Sequence, residues 1–232
     1  MSGHRGTSWG ATSGLIALLL GTGAASLESG TLGTWPSAGD PSYTSFLTEN
    51  RTPILAQSLL FVFSSAAMIW FLGCVRARLV RCEGTPGTLS SIAFGAGLIA
   101  AAMNISGQAA QIVVTLPSAA SLDTHAAAAF EDLCLVTTTL ADVPLVVMFA
   151  AIAALTLGAH AYPAWLGWIA VAAAVAALVF TFSLVPVSGP LSPPGWLTMV
   201  LRLVPALWYI PAIVIMIRNH PVQGSTPAQV RA

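Results

Sequence analysis

Asp142 sits in the middle of a long apolar run, and a carboxylate there is costly unless it faces a cavity or a partner. The run begins at Glu131 and Asp132, continues to residue 157, and holds one proline, Pro144. Glu131, Leu135, Thr138 and Asp142 recur at three- to four-residue spacing, which places them on one face of a helix. An acid so placed can carry a proton or act as a general acid. Asn104, Gln108 and Gln111 form a second polar stripe, at i, i+4 and i+7 in a run rich in Gly and Ala. Arg202 lies in a third apolar run and calls for a carboxylate partner, because an unpaired guanidinium at that depth is expensive. Glu131 is its better match in depth, and Asp142 would need Arg202 to reach downward. Asp142, Arg202, Asn104, Gln108, Gln111, Glu131 and Thr138 are therefore the candidate ligand-binding residues.

A plainer account competes with this one. Asp142 can hydrogen-bond to Asn104 or Thr138 and fix helix packing, the amide stripe can join helices, and Arg202 can snorkel to the interface. Three classical patterns are absent from the sequence: there is no HExxH, no P-loop and no CxxC. His4, His125, His160 and His220 fall in predicted loops or tails, which disfavours a bis-histidine haem. Cys74, Cys82 and Cys134 lack metal-site spacing, and the first two flank a short basic segment expected in the cytoplasm, where a disulfide is not expected. No metal or cofactor is predicted, and no catalytic residue is assigned.

The elements that must position these groups follow from composition. Of 232 residues, 56% are hydrophobic and 7% charged, against about a quarter charged in a soluble domain. With a mean hydropathy of +0.83, the bilayer must be the solvent for most of the chain. Net charge is zero with no long basic run, so nucleic acid is excluded as a partner. The fold expected is all-α: a polytopic integral membrane protein, six transmembrane helices in a single bundle, both termini cytoplasmic. The helices are expected at residues 9–27, 53–75, 88–116, 132–157, 163–185 and 196–217, in one domain over residues 1–220 with a short disordered cytoplasmic tail over 221–232. The first run resembles a secretory signal peptide but is read as a retained span. Arg76, Arg78 and Arg81, the densest basic cluster, are placed in a cytoplasmic loop by the positive-inside rule. Glu28, Asp40, Glu49 and Asp123 then fall outside. Counting 1.5 Å per residue from Asp132, Asp142 lies about 15 Å deep, close to the midplane. Between the first two spans, a short helix capped by Ser42 or Thr44 is expected to carry Tyr43, Phe46 and Leu47 on one face.

The stretch from Tyr43 to Leu79, YTSFLTENRTPILAQSLLFVFSSAAMIWFLGCVRARL, followed by EGTPG and later by YPAWLGWIAV, resembles the multi-spanning membrane proteins grouped as the domain of unknown function 4386 family, common in actinobacteria. The resemblance implies the six-span architecture and carries no activity.

The function expected is binding of a small apolar or amphiphilic ligand in an outward-facing intramembrane pocket, in the plasma membrane. Membrane lipids are the expected surroundings, with a homo-oligomer or a membrane partner subunit as further partners. The alternatives are an intramembrane enzyme on a lipid or isoprenoid with Asp142 or Glu131 as acid, a structural membrane subunit, and a proton-coupled transporter. The transporter needs a polar path through both leaflets, and the second half of the fourth helix is nearly all Ala, Val, Leu and Ile.

Overall fold

The computed structural model describes residues 5–33, 35–36, 40, 42–116, 123–186, 188–193 and 195–218, and from residue 10 onward their side chains. The expected tail over 221–232, His4 and His220 lie outside the described residues.

Among the described residues eight α-helices follow one another: α1 (Arg5–Leu27), α2 (Tyr43–Glu49), α3 (Arg51–Glu83), α4 (Thr88–Val113), α5 (Thr124–Leu140), α6 (Asp142–Ala159), α7 (Ala164–Thr181) and α8 (Trp196–Arg218). A widened π turn, Glu28–Leu32, prolongs α1, and a 3-10 turn, Phe182–Leu184, prolongs α7. With α5 and α6 taken as one interrupted helix, six segments are long and apolar enough to cross a membrane. The protein is a polytopic membrane protein built as an all-α, six-helix bundle. Its outer faces are apolar in the way lipid requires: Leu19, Phe63, Trp70, Ile99, Val175 and Leu203 all point away from the core.

Each span packs on the next, and α1 packs on α8 to close the ring. The Arg76 end of the bundle is dense. Phe71, Phe149, Tyr162, Trp208 and Tyr209 interlock there, with ring centroids 5.5 to 6.2 Å apart, among many buried alanines. Small residues permit the approach. A Cβ added at Gly97 would stand 2.5 Å from Leu72 Cδ1, and one at Gly14 would stand 2.7 Å from Phe71 Cδ2. At the opposite end α2 is a lid. Tyr43 and Leu47 are buried against Leu32, Ile54, Val114 and Ala127, and Trp35 packs on Phe46 at 5.2 Å. Ser42 does not cap α2 as expected. Its Oγ and N instead donate to Asp40 Oδ1 at 2.7 and 2.8 Å, and these bonds hold the exposed Asp40 carboxyl below the usual carboxylate range.

Two expected boundaries differ by eight residues each, and one span is interrupted. α3 does not end at residue 75 but runs on to Glu83, so Arg76, Arg78 and Arg81 lie on a helix rather than in a loop. Arginine is a good helix former, and a chain of 33 residues, about 50 Å long, carries its last turns beyond a roughly 30 Å hydrocarbon core. It stops at Gly84, φ +80°, and Glu83 then caps the next helix by accepting from Leu89 N at 2.7 Å and Ser90 N at 2.9 Å. The fourth span begins at Thr124 rather than at 132, with Asp123 as its N-cap accepting from Ala126 N at 2.7 Å. The added residues extend it towards the α2 end, so that Asp142 stands at the middle of Thr124–Ala159. The span is also interrupted at Ala141. Pro144 has no N–H for the carbonyl of Leu140, so α5 ends there and α6 restarts with the proline in its first turn, where no donor is required.

Candidate functional site

The break at Ala141 opens the bundle. α5 packs on α4 and barely touches α6 and α7, whereas α6 is wedged between α4 and α7. Space is left between α5 and the other spans at the α2 end. It is a cavity of about 540 Å³ with walls from the π turn, α3, α4, α5, α6, α7 and α8, and with Trp35 and Tyr43 of the lid segment at its mouth.

All seven residues singled out in the sequence line this one space. Asn104, Gln108 and Gln111 come from α4, Glu131 and Thr138 from α5, Asp142 from α6 and Arg202 from α8. Their pairing differs from expectation. Glu131 does not meet Arg202; its Oε2 accepts from Gln111 Nε2 at 3.3 Å, and Gln111 Oε1 accepts in turn from Ser58 Oγ at 2.8 Å. This relay ties α3, α4 and α5 together at the α2 end. Arg202 lies 4.9 Å over the ring of Phe180, and Asp142 is the carboxylate within its electrostatic reach. Neither Asn104 nor Thr138 turns to Asp142. Asn104 Nδ2 donates to Ala100 O at 3.3 Å and Thr138 Oγ1 to Cys134 O at 2.8 Å, each within its own helix.

The site therefore has two tiers. The tier nearer the lid holds Glu28, Glu131, Asp132 and Gln111; the deeper tier holds Asn104, Thr138, Asp142 and Arg202. Several wall residues were not singled out in the sequence. Gln57 is an amide inside an apolar span, a signal as strong as that of Gln108, and Glu28 directly follows the first apolar run. Tyr43, Phe61 and Phe180 had no comparable signal, since an aromatic residue in a membrane helix is ordinary. Burial, together with the charges of Glu131 and Asp132, pushes the Tyr43 phenol up, so it stays protonated.

Among the described residues, eight buried side-chain oxygen or nitrogen atoms have no hydrogen-bond partner, and four of them belong to this wall: Tyr43 Oη, Gln57 Oε1, Gln108 Oε1 and Glu131 Oε1. An orphaned buried polar atom costs about 1–3 kcal/mol. The other four, Thr139 Oγ1, Thr156 Oγ1, Tyr162 Oη and Trp208 Nε1, lie outside this wall. The floor beyond Asp142 is the aromatic cluster, where Phe149, Trp208 and Tyr209 pack ring against ring. A second, smaller hollow of about 440 Å³ lies at the opposite end, between Arg78, His160, Tyr162 and Arg218. Arg78 is already engaged there, donating to Ala161 O at 2.9 Å and lying 4.5 Å over Tyr162.

No protein-family model, no curated protein and no solved structure matches the chain.

Proposed function

We propose that the protein binds a small amphiphilic molecule in the cavity beneath α2, as a receptor, carrier or accessory membrane subunit rather than as an enzyme. The observation that carries this is one blind space of about 540 Å³, within the range of small-molecule sites, whose wall mixes apolar side chains with the amides and carboxylates of α3, α4, α5 and α6. Apolar wall residues, among them Phe61, Leu135 and Ala141, supply the surface that an amphiphile's hydrocarbon part needs. The dense floor favours binding over passage, since a transported polar solute would have to cross the Phe149–Trp208–Tyr209 cluster. In the same proposal the Arg76 end faces the cytoplasm with both termini, the cavity faces outward, and the membrane is the plasma membrane.

Native mass spectrometry with solvent extraction tests the proposal on the wild type beside Asp142→Asn and Arg202→Ala. A small molecule should copurify with the wild type and be lost from either variant. An empty wild type, with variants that lose only thermal stability, overturns the proposal and leaves both residues as packing groups.

A further inference from the structure

The charge of the cavity is lopsided. Four carboxylates line it, from Glu28, Glu131, Asp132 and Asp142, against the single guanidinium of Arg202. Arg202 belongs to the deeper tier, over Phe180 and near Asp142, so its charge is spent there. Among the described residues, the tier under the lid has no cation in its wall. Arg51, the nearest basic residue of α3 to that end, is turned away and donates from Nε to the carbonyl of Thr115. His125 is exposed on α5. Glu131 instead feels Glu28 and Asp132, two like charges, and only the Gln111 amide answers it. Three carboxylates lining one end of the cavity repel one another unless a proton or a cation relieves them.

The unpartnered atoms say what kind of cation. Three of the four unpartnered wall atoms, Gln57 Oε1, Gln108 Oε1 and Glu131 Oε1, are acceptors and the fourth, Tyr43 Oη, can also accept, so a donor group suits this wall. An ammonium has donors and no acceptor. Trp35 and Tyr43 stand at the same mouth, and aromatic faces attract a desolvated ammonium or quaternary nitrogen. A bare metal ion fits less well: among the described residues, no three His, Cys, Asp or Glu side chains gather closely enough to hold one. Resting on the ligand-binding proposal above, we infer that the ligand is a cationic amphiphile, an amine or alkylammonium whose head docks among Glu28, Glu131 and Asp132 beneath Trp35 and Tyr43. Its hydrocarbon part runs inward along Phe61, Leu135 and Ala141 towards Phe180.

Three probes of matched size separate the two ideas: hexylammonium, hexanol and hexanoate. Each is titrated calorimetrically into the full chain in nanodiscs of net-neutral lipid, with empty nanodiscs as the blank. Hexylammonium should bind at least tenfold more tightly than the other two. Glu131→Gln should weaken hexylammonium at least tenfold and hexanol far less. Asp132→Asn, an exposed wall position less exposed to folding failure, should weaken it several-fold. Glu49→Gln, an acid at the same end outside the wall, should change nothing. Equal binding of hexanol or hexanoate, or full hexylammonium affinity in both Glu131→Gln and Asp132→Asn, overturns the cationic assignment and leaves the cavity as a binding site. Failure of all three probes to bind overturns the binding proposal itself.

Discussion

At the scale of single residues, the site depends as much on missing side chains as on polar ones. Gly107 lies in α4 one residue before Gln108, and a Cβ there would stand 2.7 Å from Thr138 Cγ2 and 3.2 Å from the carbonyl oxygen of Cys134. Backbone oxygen of a neighbouring helix cannot swing aside as the end of a side chain can. The close approach of α4 to α5 that lets Gln111 reach Glu131 thus requires glycine at this position. Gly95, two turns or more towards the other end of the same helix, meets nothing within 4 Å. Gly107→Ala is therefore expected to destabilise the bundle by about 1–3 kcal/mol, the usual range for overpacking. Gly95→Ala should be neutral or slightly stabilising, since alanine is the better helix former. Thermal unfolding of the two variants in one detergent checks this; equal midpoints would show that the helices have room to part.

At the scale of elements, the interrupted fourth span decides where the cavity is. Pro144 removes the donor that would bond the carbonyl of Leu140, and the helix restarts at Asp142. The restart keeps Asp142 on the same cavity as Glu131 and Thr138 while α5 stands off from α7. Replacing Pro144 by Ala supplies the donor and permits one continuous helix from Thr124 to Ala159. The expected outcome is a higher unfolding midpoint together with weaker retention of any copurified ligand, read on the same preparation. A variant that gains stability and keeps its ligand would show that the break is incidental to the cavity.

At the scale of the whole molecule, the ring of six spans divides into a packed half and a hollow half, and orientation decides which compartment the hollow half meets. In the proposed orientation Arg76, Arg78 and Arg81, on the last turns of α3, face the cytoplasm. Cys82 is exposed among them, whereas Cys134 is buried. In intact cells a membrane-impermeant maleimide should leave Cys82 unlabelled until the membrane is permeabilised, with Cys82→Ser as the blank. Labelling of intact cells would turn the bundle over and point the cavity inward.

The sequence by itself determined the membrane class and the number of spans, because a long apolar run admits almost one structure in lipid. It also determined which polar residues belong together: helical spacing put Asn104, Gln108 and Gln111 on one stripe and Glu131, Thr138 and Asp142 on another, and all six line one space. The boundaries at Glu83 and Thr124 were not legible, since arginines and alanines continue a helix past the apolar edge without any change in pattern. Partners were not legible either. Depth along a helix suggested Glu131 for Arg202, but rotation of α8 about its axis and the stand-off of α5 gave Arg202 to Phe180 and Glu131 to Gln111. Spacing fixes the face a residue shares with its own helix. Only packing between helices fixes what that face meets.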